Sequence, residues 1–377
     1  MKILHIVPSY KPAYIYGGPI ESVSKLCEGL AAAGHQVDVF TTTANGTTEL
    51  DVEPGKVINV DGVNVIYFKR ITKDPTHVST DLWLHLWKNV KHYDIVNIQS
   101  WWSVLVVIAA CIVHMKGVKL VISPRGMLSP YIFTSGAAKM KKIIHATMGK
   151  WALSKSYLHA TAQVEFNEFR EVIADCKGFI APNNVTMPDT PIIKHQNDVF
   201  EVIFMSRVHP KKGIEILLNA ISKLNFPVRL RIAGSGDTDY TEKLQILTVE
   251  LGIADKVEWM GWIGRDDKFK ALMDADLFAL VSYNENFANV VIESLHMGTA
   301  VLVSEEVALS GFVRDTKLGW VTSLEVDDVA KQLTAAYTDQ GHRNWIRENG
   351  RELIAASFSE KKLIGDYVME YSKIIAN

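Results

Sequence analysis

The stretch Leu277-Phe278-Ala279-Leu280-Val281-Ser282-Tyr283-Asn284-Glu285-Asn286-Phe287-Ala288-Asn289-Val290-Val291-Ile292-Glu293-Ser294-Leu295 spells a strand, a loop and a helix in that order. Its apolar opening, Leu277 to Val281, reads as a buried strand, and the residues from about Asn289 to Met297 read as a helix. Glu285 therefore lies on the loop leaving the strand, and Glu293 lies about a turn inside the helix. In open α/β sheets ligands bind in this crevice, outside the carboxyl ends of the strands. Free backbone N–H groups at the helix start favour anions there. Two acids beside such a start suit a ligand that carries both phosphates and hydroxyls. The spacing alone is met equally by a loop acid and a solvated helix acid, so the rest of the chain has to decide.

Working outward, short apolar runs alternate with helical patterns from end to end, which predicts parallel sheets covered by helices. In the first half the expected strands are Lys2–Val7, Gln36–Thr41, Val63–Phe68, Ile95–Gln99, Val118–Ser123 and Gly178–Ala181, with helices such as Gly18–Ala33 and Ser103–Lys116 between them. Pro182-Asn183-Asn184-Val185, Pro188, Pro191 and the polar residues up to Asp198 break the rhythm and mark a linker. It restarts at Val199–Phe204 and continues through strands Val228–Ala233, Val257–Trp259, Asp276–Val281 and Ala300–Val303. Helices are expected from about Lys212, at Thr241–Leu251 and at Asp267–Met273. The tail, Val326–Tyr337, Arg343–Ala356 and Ser359–Ile375, reads as wholly helical. The fold class is thus α/β, with two Rossmann-like doubly wound domains facing a central cleft, residues 1–190 and 191–357.

Composition agrees. A chain of 377 residues exceeds one ordinary core. Its 48% hydrophobic and 22% charged residues are those of a soluble globular protein, and a net charge of -2 gives no reason to expect a nucleic-acid partner. Cys27, Cys111 and Cys176 are odd in number and widely spaced, which argues for reduced thiols in a cytoplasmic protein and against a zinc site or disulfide framework. The first apolar run breaks at Pro8, too short for a signal-peptide core, and Val104–Val113 is too short to span a bilayer.

The second domain opens with Met205-Ser206-Arg207-Val208-His209-Pro210-Lys211-Lys212-Gly213-Ile214. Arg207 leaves a buried strand and Lys212 begins a helix, a placement from which two cations grip a diphosphate, Arg by its planar fork and Lys as a point charge. A surface basic cluster gives the same pattern. Gly234-Ser235-Gly236 follows the next strand, where glycines serve either a close ligand or an ordinary turn.

Together these segments resemble the retaining glycosyltransferases of family 4 (GT4), of GT-B fold, over essentially the whole chain. Arg207 to Gly213 stands where that family has Arg-Leu-x-x-x-Lys-Gly. Glu285 and Glu293 stand as its E-x7-E pair, within a segment like Ser-x-x-Glu-Gly-Phe-Gly. This chain departs from the pattern at Asn286 and Ala288, which replace glycine. The resemblance implies a nucleotide-binding C-terminal domain, an acceptor-binding N-terminal domain, and a C-terminal helix at 358–377 packing back on the N-terminal domain. It implies that Arg207, Lys212 and Glu285 form the catalytic set: the two cations neutralise the donor diphosphate, and Glu285 binds donor-sugar hydroxyls. Glu293 would hold the ribose, the amides of Phe287, Ala288 and Asn289 the sugar or phosphate, and Gly234, Gly236, Trp262 and Ile263 would border the base. Gly17 and Gly18, in Tyr16-Gly17-Gly18-Pro19, resemble the family's glycine-rich loop; a plain strand-to-helix turn is the competing reading.

Many relatives carry an N-domain histidine facing the sugar. Here Asn97 and Gln99 occupy such positions, and Arg125, in Ser123-Pro124-Arg125-Gly126, occupies another. An arginine holds an anion but cannot act as a general base. Asn97, Gln99, Trp101 and Arg125 are the acceptor-side candidates. Lys139–Lys155 mixes lysines with apolar residues, which fits either a peripheral membrane contact or a surface helix with solvated lysines. The implied activity is hexosyl transfer from a nucleotide sugar to a glycan or lipid-linked acceptor in bacterial polysaccharide synthesis, in the cytoplasm or at the inner membrane face, with no metal and no cofactor beyond the donor. An epimerase of the same architecture, or a non-catalytic nucleotide-sugar or glycan binder, remains open on residues alone.

Overall fold

The computed structural model describes residues 1–129, 148–185, 187–193 and 197–377. Two compact units form: Met1–Thr186 together with Glu360–Asn377 (unit 1), and Met187–Ser359 (unit 2).

Unit 1 runs β1 (Lys2–Ile6), α1 (Gly18–Ala32), β2 (Gln36–Thr42), a small hairpin β3 (Ala44–Asn45) and β4 (Thr48–Glu49), β5 (Val57–Val60) and β6 (Val63–Phe68). Then come α2 (Thr80–Asn89), β7 (Ile95–Gln99), α3 (Val104–Met115), β8 (Lys119–Ser123), α4 (Lys150–Ser154), β9 (Tyr157–Ala160), α5 (Gln163–Val172) and β10 (Lys177–Ile180). The sheet order is β10-β9-β8-β7-β1-β2-β6-β5. Every pairing is parallel except the edge strand β5, which pairs antiparallel with β6 across Asp61-Gly62. Both turn residues have positive φ, 51° and 87°, as a two-residue hairpin turn of matching twist requires. Parallel strands are buried on both faces, which is why they read as continuous apolar runs. Leu4, Ile6, Val96 and Ile98 face α2 and α3, while Ile3, Val39, Val65, Ile95 and Val121 face α1 and the C-terminal helix.

That C-terminal helix, Glu360–Ala376, belongs to unit 1 as the resemblance implied. Its buried stripe is Leu363, Ile364, Tyr367, Tyr371 and Ile374, spaced for one helical face. It lies so close to α1 that a Cβ on Gly29 would come within 2.6 Å of Ile364 Cδ1.

Unit 2 runs β11 (Phe200–Met205), α6 (Ile214–Ser222), β12 (Val228–Ala233), α7 (Thr238–Glu250), β13 (Val257–Gly261), α8 (Arg265–Asp274), β14 (Leu277–Leu280) and α9 (Asn289–His296). It finishes with β15 (Ala300–Ser304), α10 (Ser310–Thr316), β16 (Gly319–Thr322), α11 (Val326–Thr338) and α12 (Gln340–Phe358). All strands are parallel in the order β13-β12-β11-β14-β15-β16. In both units the order reverses at one place, between β1 and β7 and between β11 and β14. Each reversal opens a crevice at the strands' carboxyl ends, because successive crossovers leave in opposite directions there.

Strands β5, β9 and β16 and helix α2 extend the sequence expectation. Most of the basic amphipathic segment Lys139–Lys155 lies outside the described residues. In the part that is described, Met148 and Trp151 are exposed, and Lys155 Nζ sits 5.1 Å from the Trp151 ring centroid. No helix of the described residues is long and apolar enough to cross a membrane.

Candidate active site

The unit 2 crevice is built by loops that lock onto one another through missing side chains. Gly213 adopts φ 62°, ψ 32°, and a Cβ there would lie 2.1 Å from Val281 O, so only glycine lets the β11 loop pass the end of β14. Tyr283 N donates to Lys211 O at 2.9 Å across the same contact. Gly234 and Gly236 serve the other side. A Cβ on either would lie 1.9 Å from Ser206 O or Val208 O, so their close neighbour is the protein's own backbone. Val208 pairs with Gly236 in a parallel bridge, and Gly234 N donates to Gly261 O at 2.7 Å. Trp262 and Ile263 follow β13, Trp262 at 72% exposure and open to a planar ligand.

Across this floor the expected charges meet. Lys212 Nζ ion-pairs with Glu285 Oε2, joining positions far apart in sequence. Arg207 is exposed at the end of β11. Burial first, and then the positive charge of Arg207, Lys212 and Lys211, holds His209 below its usual pKa. Glu285 is anchored at both backbone ends, its N donating to Glu306 O at 3.1 Å and its O accepting from Ala308 N at 3.0 Å. Phe287 and Ala288 are buried beneath the start of α9. Ala288 holds φ 61°, ψ 69° as the N-cap and supplies no side-chain cap. The glycine-like backbone therefore persists without glycine at the start of α9. Glu293, only 4% exposed, is paired with Lys268 on α8 (Nζ to Oε1 2.8 Å), since a buried carboxylate requires a counter-charge. The sequence reading missed Lys268; no local spacing links α8 to α9.

Unit 1 sorts its candidates differently. Gly17 caps α1 at φ 69° with open space where a Cβ would stand, and Pro19 occupies the first turn after Gly18. Asn97 is fully buried: its Nδ2 donates to Tyr371 OH (2.6 Å), and its Oδ1 accepts from Ser123 Oγ (3.0 Å). Trp101, 2% exposed, is part of the core against α3, which leaves it no surface for a ligand. Gln99 and Arg125 come together at the crevice. Arg125, at φ 53°, donates from Nε to Gln99 Oε1 (2.8 Å) and from Nη1 to Ser22 Oγ (3.1 Å) and Asn183 Oδ1 (2.8 Å). Gln99 Nε2 in turn meets His5 Nδ1 at 3.2 Å. Ser22, Asn183 and His5 carry no motif, so the sequence did not point to them.

Two family descriptions match the chain in succession: Glycosyltransferase Family 4 over residues 16–185 and Glycosyl transferases group 1 over residues 189–353. The chain is a GT4-type glycosyltransferase. An uncharacterized glycosyltransferase of Methanocaldococcus jannaschii is 26% identical over 98% of both chains. The lipopolysaccharide core biosynthesis glycosyltransferase LpsE of Rhizobium meliloti is 26% identical over 50% of this chain and 55% of its own. In fold, the GT4-type chain is similar to sucrose-phosphate synthase from Thermosynechococcus elongatus, with TM-score 0.78, 18% identity and full coverage of both chains. It is equally similar to Anabaena HepE in complex with UDP and glucose (TM-score 0.78, 18% identity, 99% of this chain and 100% of that one). These two likenesses establish the GT-B fold of the GT4-type enzyme.

Proposed function

We propose that this glycosyltransferase moves a sugar from a nucleotide-diphosphate donor to a hydroxyl of a glycan or lipid-linked acceptor, with retention at the anomeric carbon. The observation that carries the reading is the Lys212–Glu285 pair at the unit 2 switch point, beside the start of α9. A donor diphosphate competes with Glu285 for Lys212. Once Lys212 and Arg207 turn to the phosphates, Glu285 is released to accept hydrogen bonds from sugar hydroxyls. The same two cations then stabilise the charge that grows on the leaving diphosphate, the kind of electrostatic preorganisation that dominates transfer chemistry. The amides at Phe287, Ala288 and Asn289 take a phosphate or sugar oxygen, and Trp262 and Ile263 border the base. Glu293, paired with Lys268, reaches the ribose hydroxyls. No catalytic base is needed if the leaving phosphate accepts the acceptor's proton, which accords with an arginine at position 125. The complex of HepE with UDP and glucose supports a nucleotide-sugar donor, and LpsE's description supports a glycan acceptor. A lipid-linked acceptor would bring the enzyme to the inner face of a membrane, with Lys139–Lys155 as the contact.

The test is turnover of a nucleotide-sugar panel, with and without extracted glycolipid, followed by mass spectrometry. Lys212→Ala and Arg207→Ala each lower transfer about 100-fold or more. Near-normal turnover in either variant refutes the diphosphate grip. Release of altered sugar without acceptor would make the chain an epimerase, and an inverted product would overturn retention.

A further inference from the structure

Arg125 is a half-buried cation that no acid of the described residues touches. Its Nε and Nη1 are spent on three neutral oxygens, from Gln99, Ser22 and Asn183, and among the described residues its Nη2 donates to none. Glu165, the acid that packs behind the loop, is committed elsewhere: its Oε1 accepts from Gly126 N (2.7 Å), and its Oε2 accepts from Thr161 N (2.7 Å) and Thr161 Oγ1 (3.0 Å). Glu28, on α1, pairs with Lys11 and Lys25. The remaining titratable neighbours, His5, His159, Tyr367, Tyr371 and Cys27, are held neutral by burial. Removing a cation from water without a counter-ion is strongly unfavourable. A clamp of three neutral acceptors needs only a neutral donor, so the charge itself has no structural use here. Preorganised, singly occupied on one edge of its fork, and tied through Ser22 to the first turns of a helix whose cap Gly17 brings no side chain, the guanidinium is set to receive an anion.

We propose that Arg125 is the seat for an anionic group, phosphate or carboxylate, carried by the acceptor. This rests on the transfer reading above and names its substrate class: an acidic acceptor. Asn183, Gln99 and Ser22 are positioning residues that aim the fork, and Nη2 supplies the free donor.

The first arm reads binding without turnover. In protein carrying Arg207→Ala and Lys212→Ala, which lacks the phosphate-gripping cations of unit 2, inorganic phosphate at constant ionic strength raises the melting temperature. Adding Arg125→Gln weakens the phosphate affinity roughly tenfold or more, the worth of a charged hydrogen bond. Arg125→Lys keeps the charge without the fork and retains part of the shift, so it carries the arm if Arg125→Gln shows no cooperative unfolding. Absence of a phosphate effect, or an effect indifferent to Arg125, overturns the inference.

The second arm separates acceptor from donor. Transfer is measured to extracted glycolipid that is untreated, phosphatase-treated or carboxyl-methylated. Wild type loses about tenfold in kcat/KM when the anion is removed. Arg125→Gln makes untreated and treated extracts equivalent and leaves donor KM within about twofold. The ratio between extracts does not depend on the folded fraction. Equal use of all extracts by wild type, or a variant effect confined to donor KM, overturns the inference and leaves sugar transfer standing. Phosphate binding at Arg125 with no transfer from any donor overturns the transfer reading instead.

Discussion

At Gly213 and Ala288 the backbone turns left-handed, at φ 62° and 61°, yet only one of the two positions needs glycine. A Cβ on Gly213 would collide with Val281 O at 2.1 Å. Gly213→Ala therefore adds steric overlap to the roughly 1–2 kcal/mol of left-handed strain an alanine carries. A loss of at least ~2 kcal/mol in urea-unfolding stability is expected. Ala288→Gly relieves that strain at the cost of unfolded-chain entropy and should leave stability within ~1 kcal/mol of wild type. Equal effects at the two sites would show that φ, and not the Val281 contact, governs Gly213. The places of Glu285 at a strand exit and Glu293 within the next helix follow from chain direction alone and were legible in the sequence. Their partners were not equally so: Lys212 sat in a motif, whereas Lys268 is met only when α8 packs on α9.

Among elements, the C-terminal helix shows what a sequence conceals. Its apolar stripe was readable from periodicity, but not its use of tyrosine hydroxyls as plugs. Tyr371 OH takes Asn97 Nδ2, and Tyr367 OH meets His159 Nε2 at 2.9 Å; His159 Nδ1 lies 2.9 Å from Ser123 Oγ. Asn97 stood among the acceptor-side candidates because it occupies a position where many relatives of the resembled family carry histidine; here its amide donates to a hydroxyl 274 positions later. Tyr371→Phe strands a buried amide donor and should cost about 1–3 kcal/mol in chemical denaturation. A neutral outcome would mean that Asn97 finds another acceptor. Central strands such as β11, β14 and β15 were legible because both their faces are buried. Strands β5 and β16, half-exposed at sheet edges, and β9, with a polar His159 among four residues, present no continuous apolar run.

For the whole molecule, acid sensitivity is unevenly distributed. In unit 1, burial pushes His5 and His159 down to about 3 and His77 down to about 4, from an ordinary value of 6.5. Between those values and 6.5 the unfolded chain binds more protons than the folded one, so stability falls as pH falls through that window. Each histidine contributes a slope of up to ~1.4 kcal/mol per pH unit. Unit 1 should unfold before unit 2 as pH drops from 6.5 toward 4, a sequence that hydrogen exchange on peptides from β7 and β14 would resolve. His159→Asn should shallow the unit 1 slope by about one proton; an unchanged slope would remove His159 as a source.

The helix that completes unit 1 is synthesised only after the whole of unit 2. Between the making of β10 and of Glu360, the whole of Met187–Ser359 must emerge, on the order of ten to thirty seconds at ~5–20 residues per second. Throughout that interval Asn97, Ser123 and His159 wait without Tyr367 and Tyr371, and Ile95 and Val121 wait without their cover. Unit 1 is begun before unit 2 and finished after it, so a nascent chain spends its most aggregation-prone moments with the unit 1 sheet open and unit 2 already able to fold.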